Sequence, residues 1–96
     1  MTLLKSPSHP GEILREEYLA VIDMSAGALA KRLSVPRTRI ERLIKEEVAM
    51  TVDTALRLAK FFRTTPEFWL NLQRGYDLAQ ARETVDVSDI QPLEAA

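Results

Sequence analysis

Residues 25–45 read SAGALAKRLSVPRTRIERLIK, and the fold turns on this stretch. Ser25 is a good N-cap, because its hydroxyl accepts an orphan N–H of a helix that starts at Ala26. That helix is predicted to run to Leu33. Ser34-Val35-Pro36 then breaks it, since the residue before a proline avoids helical angles, and a further helix is predicted from Arg37 to Lys45. Two short helices crossing steeply need a small residue where their backbones approach, and apolar residues on both facing sides. Ala30 meets the first need; Leu29, Leu33, Val35, Ile40 and Leu43 meet the second. The joint spacing of Ala30, Val35, Ile40 and Leu43 is that of a helix-turn-helix rather than of an ordinary helical hairpin.

At about 100° per residue, Ile40, Leu43 and Ile44 gather on one side of the later helix. Thr38, Arg42 and Lys45 gather on the other, flanked by Arg39 and Glu41. The side turned away from the core is the basic one, as a helix entering the major groove requires. The expected DNA-binding set is Lys31, Pro36, Arg37, Thr38, Arg39, Glu41, Arg42 and Lys45. Arg37 and Arg42 are placed to grip guanine edges, and Thr38 to meet a thymine methyl or a phosphate. Lys31, Arg39 and Lys45 suit phosphates, which position a protein without specifying sequence. Glu41 is expected to pair with Lys45 four residues on; a cytosine amino group is the other partner open to it.

Outward from this stretch the punctuation gives three more helices. Ser8-His9-Pro10-Gly11-Glu12 opens one that reaches about Ile22, with proline in its first turn and an acid at the positive end of its dipole. Thr51 caps another, with Asp53 in its first turn, reaching about Arg63. Thr64-Thr65-Pro66-Glu67 repeats the start signal for a last helix from Pro66 to Thr84. The expected class is all-α with five helices: residues 1–84 form one DNA-binding domain and residues 85–96 a short acidic tail. Only Thr84-Val85-Asp86-Val87-Ser88 alternates apolar and polar residues, enough for one short strand at most.

The last helix has two apolar sides. Phe68, Trp69, Leu72 and Tyr76 share one, and Leu70 and Leu78 lie on the other. A helix with two apolar faces has two things to bury against: its own bundle and, as expected here, a second subunit. The expected dimer set is Phe68, Trp69, Leu70, Leu72, Tyr76 and Leu78. A two-fold homodimer presents its paired helices to successive major grooves about 34 Å apart, matching a palindromic operator.

Composition bounds the alternatives. The 96 residues, 46% hydrophobic and 28% charged, suit one small globular domain. The absence of cysteine excludes disulfides and thiolate metal sites and fits a reducing cytoplasm. Apolar runs are only a few residues long, so no membrane span is expected, and Met1 to Pro7 lacks the apolar stretch of a signal peptide. The formal net charge of −1 averages unlike regions. Glu83, Asp86, Asp89 and Glu94 give the end of the chain −4, whereas residues 31–45 hold six bases against Glu41 alone. A phosphate backbone responds to that local field. His9, the only histidine, sits beside Pro10 and reads as a local cap rather than a metal ligand. The adjacent acids Glu16-Glu17 and Glu46-Glu47 diverge around a helix and read as solvated. With no Gly-rich phosphate loop and no nucleophile motif, the expectation is a non-enzyme without catalytic residues, metal or cofactor.

Three further motifs carry a resemblance: His9-Pro10-Gly11-Glu12, Asp53-Thr54-Ala55-Leu56-Arg57-Leu58-Ala59, and Phe68-Trp69-Leu70-Asn71-Leu72-Gln73 followed by Tyr76-Asp77-Leu78. Over residues 8–82 the chain resembles HigA/VapI-type antitoxins, within the XRE, or lambda-repressor-like, helix-turn-helix family. The resemblance implies a five-helix homodimer that binds its own promoter and neutralises a HigB-type toxin, an mRNA-cleaving ribonuclease. The amino-terminal arm, the first helix and the acidic tail are the candidate toxin surfaces. The chain departs from the family at two places. Ser34 replaces a customary glycine in the turn, and Glu46-Glu47 replaces a frequent Gly-Lys after the recognition helix. Loss of that glycine is expected to extend the helix, and the two acids to weaken DNA binding or make it unusually salt-sensitive. The competing readings are a stand-alone regulator without a toxin, and an interaction module whose basic helix docks an acidic protein.

Overall fold

The structure, a computed structural model, describes residues 7–94. Met1 to Ser6 of the amino-terminal arm and the last two residues of the tail lie outside the described residues. The order is five helices in chain sequence. Helix α1 is continuous through three stretches: Pro10–Ile13, a π-helical Leu14–Leu19, and Ala20–Ile22. Then come α2 (Ala26–Leu33), α3 (Arg37–Ile44), α4 (Val52–Phe62) and α5 (Pro66–Thr84). No strand occurs among the described residues, so the alternation at Thr84–Ser88 does not become one. Thr84 ends α5, and residues 85–94 continue as exposed irregular chain with no neighbouring edge to pair with.

The caps explain the boundaries. His9 Nδ1 accepts the Gly11 N–H at 2.9 Å, and its ring packs edge-on against Tyr76 with centroids 4.9 Å apart. Ser25, Thr51 and Thr65 each accept an N–H three residues on, from Ala28, Thr54 and Phe68. Each such cap satisfies a donor that no intrahelical carbonyl can reach. At the other ends α1, α2 and α4 stop in left-handed residues, Asp23, Ser34 and Arg63.

One core joins all five helices. Leu14, Leu29, Ile40, Leu43, Leu58 and Trp69 are its fully buried large side chains. Truncating such a leucine or isoleucine to alanine costs about 2–5 kcal/mol. Two polar side chains are drawn in with their partners: Trp69 Nε1 donates to Thr64 Oγ1 at 2.8 Å, and the Gln73 amide oxygen accepts the Met50 N–H at 2.6 Å. Gln73 thereby fastens the α3–α4 loop to α5, and with it the far end of α3. At Gly11 a Cβ would stand 1.8 Å from the Leu43 carbonyl oxygen, so α1 rests directly on the last turn of α3.

Candidate nucleic-acid interface

The α2–α3 unit is built as its spacing requires. The Ser34 and Val35 amides donate to the Lys31 and Ala30 carbonyls, at 3.2 and 3.0 Å, and Ser34 takes φ 60°, ψ 45°. That left-handed residue reverses the chain; Pro36, extended at φ −62°, ψ 145°, launches α3. Ile40 and Leu43 lock one side of α3 into the core, while Thr38, Arg42 and Lys45 stand exposed on the other. None of these three side chains makes a hydrogen bond or ion pair among the described residues, so their donors face water. Pro36, Arg37, Arg39 and Lys31 are exposed as well.

The surrounding charges are more committed than the sequence suggests. Glu41 does not turn to Lys45. It pairs with Arg37 at 3.2 Å, one turn toward the start of α3, because Lys45 lies beyond the last helical residue. Arg39 reaches across to Asp53 at the start of α4, Nη1 to Oδ1 2.7 Å. Arg57 holds that carboxylate at 2.8 Å and also donates to the Leu33 carbonyl at 2.8 Å. The two guanidiniums, Arg57 foremost, hold the Asp53 carboxyl below the ordinary carboxylate range. An open cleft of about 540 Å³ between α3 and α4 is lined by Arg39, Arg42, Val48, Ala49 and Asp53 among others.

The acids after α3 behave differently from expectation. The helix is not extended, because Glu46 itself takes the left-handed angle, φ 62°, and its N–H returns to the Leu43 carbonyl at 2.9 Å. Its carboxylate pairs with Arg15 of α1 at 3.4 Å, and Arg15 also donates to the Ile44 carbonyl. One of the two acids is thus partly neutralised. Sequence reading missed Arg15 and Gly11 as supports of α3; the only local signal was Gly11 beside a proline. It also took Asp53 for a cap-region acid, since nothing local announces a partner fourteen residues back.

The expected dimer set divides. Trp69 is wholly enclosed within its own protomer and offers no surface, which removes it from that set. Its indole is wanted in the core, between Tyr18, Phe62 and Phe68. Leu70 and Leu72 pack partly against the same core, and Tyr76 packs edge-on against His9. Phe68 and Leu78 remain exposed.

This architecture recurs in known proteins. The chain is 51% identical over 75 residues to virulence-associated protein I of Dichelobacter nodosus, covering 78% of this chain and 69% of that one. An addiction-module antidote protein of the HigA family from Coxiella burnetii superposes with a TM-score of 0.84 at 47% identity, covering 92% and 99% of the two chains. The chain belongs to the HigA family of helix-turn-helix antitoxins. Antitoxin GraA, solved in complex with its operator, matches with a TM-score of 0.88 and 40% identity over 99% of both chains. No protein-family model matches the chain. In this HigA-family chain, the outward side of α3 is the basic surface left open by a helix otherwise fixed on three sides: by the core, by α1 through Gly11 and Arg15, and by α4 through Asp53.

Proposed function

We propose that this chain is a homodimeric antitoxin that represses its own promoter and neutralises a HigB-type, mRNA-cleaving toxin in the cytoplasm. The carrying observation is the uncommitted Thr38–Arg42–Lys45 face on a helix whose opposite side is locked by Ile40 and Leu43. A rigidly held helix with free donors can hydrogen-bond base edges without first breaking internal pairs. Arg42 reads bases, and Lys45 with Lys31 holds phosphates. Arg37 reaches a guanine edge, and Arg39 a phosphate, only by giving up Glu41 and Asp53. Glu47, beside a Glu46 that Arg15 partly neutralises, keeps affinity modest and salt-sensitive. Dimerisation uses the apolar side chains that α5 leaves open, Leu78, 45% exposed, and Phe68, 37% exposed.

The test has two arms. Promoter DNA upstream of the gene should bind tightly at low salt and lose at least about tenfold in affinity on a fourfold rise in salt. Growth arrest by the adjacent open reading frame should be relieved by co-expression of this chain. DNA binding without relief would leave a regulator lacking a toxin and overturn the antitoxin reading.

A further inference from the structure

On the flank formed by α2 and α4, two adjoining hollows share an apolar floor and a basic rim. Leu56, 54% exposed, and Phe61 form the floor. Arg32, Lys60 and Arg63 form the rim, and the second hollow continues to Pro66 at the start of α5. Arg32 stacks over the Phe61 ring at 4.9 Å. None of the three rim cations forms an ion pair among the described residues. A partly exposed apolar floor, open at Leu56 and ringed by cations without acidic partners, fits a segment that interleaves apolar side chains with carboxylates.

The chain itself carries a segment of that composition, with a turn at Ser88-Asp89. Beyond α5, Val87, Ile90 and Leu93 are 59%, 68% and 98% exposed, interleaved with Asp86, Asp89 and Glu94. No base occurs after Arg82. We propose that the acidic tail of one copy docks in the α2–α4 groove of a second copy, Ile90 seated near Leu56 and the carboxylates facing Lys60 and Arg63. This rests on the dimer reading given above. Two α5 helices packed antiparallel around Leu78 put Thr84 of one copy beside residue 72 of the other, at about 1.5 Å per residue. The groove begins about 9 Å further on, at Pro66, a distance that three extended residues cover at about 3.3 Å each. Within one chain the tail must instead run back along the whole of α5, about 27 Å, before reaching the same groove.

The lack of cysteine makes the proposal directly testable in the full chain. Two differently tagged copies, one Leu56→Cys and the other Ile90→Cys, are mixed and oxidised, with Glu17→Cys on exposed α1 replacing Leu56→Cys as the control. Both sites are exposed, and circular dichroism confirms that each variant folds. Light scattering reads the oligomeric state separately. The expected result is a dimer whose 56–90 disulfide forms about tenfold faster than the control, as docking raises the local concentration of one thiol at the other. Charge reversal by Lys60→Glu with Arg63→Glu should remove that advantage. A dimer that cross-links no faster than the control overturns the docking while sparing the dimer. A monomer overturns both. A chain carrying both cysteines that closes only on itself overturns docking between copies.

Discussion

The guanidinium of Arg39 on the recognition helix lies 2.7 Å from the carboxylate of Asp53 at the start of α4, and Arg57 holds the same oxygen at 2.8 Å. One acid thus sets the position of a base beside the open face of α3 and, on the proposed reading, withholds it from phosphate. Asp53→Asn should free Arg39 and remove a negative charge beside the groove. Affinity for DNA of any sequence should rise, and the slope of log affinity against log salt should steepen by about one. Titrations of promoter and scrambled DNA at several salt concentrations check this; an unchanged slope would refute it.

The same carboxyl gives a pH dependence. Its folded value is lowered by Arg57 and Arg39. The stabilisation is therefore complete above the unfolded carboxylate value of about 3.9 and is lost as pH falls through the lower folded one. Urea midpoints of the parent and Asp53→Asn should differ at neutral pH and converge in acid below the folded value. A gap that persists there would mean that the asparagine acts through packing.

Arg42 and Lys45 both face outward, and the roles proposed for them, one reading bases and the other holding phosphates, predict different losses. Arg42→Ala should flatten discrimination between operator variants, by about 1–3 kcal/mol at one base pair. Lys45→Ala should weaken all sequences alike and shallow the salt slope by about one. Competition binding against single-base operator variants separates the two outcomes.

Ser34 occupies a left-handed angle, φ 60°, where a Cβ is crowded. Ser34→Gly should raise stability by about 1 kcal/mol without changing DNA binding, since the residue closes the turn and donates no side-chain bond to α3. Chemical denaturation gives the first quantity and a gel shift the second.

Gly11 is the opposite case. A Cβ there would meet the Leu43 carbonyl oxygen at 1.8 Å, and backbone cannot yield as a side-chain tip can. Gly11→Ala should destabilise by about 1–3 kcal/mol. Gly27→Ala, whose Cβ would meet only the exposed Arg37 side chain, Cδ at 3.0 Å, should be neutral or stabilising.

The sequence alone determined the helices, their caps and the basic side of α3. Those depend on residues a few positions apart: Ser25 capping at Ala28, Pro36 closing the turn, Ile40 and Leu43 on one stripe and Thr38 and Arg42 on the other. Such relations are local, and backbone geometry converts them into direction. Tertiary structure decided which charges are free. Arg39 meets Asp53 fourteen residues on, and Arg15 meets Glu46 across thirty-one; no periodicity records either. It also decided which apolar side chains belong to the protomer. Trp69 and Phe68 are neighbours on one helix, yet only the packing of Tyr18 and Phe62 against α5 encloses the first and leaves the second at the surface. Burial is a property of the neighbours that the fold brings, and helical periodicity fixes only the direction in which each side chain leaves the backbone.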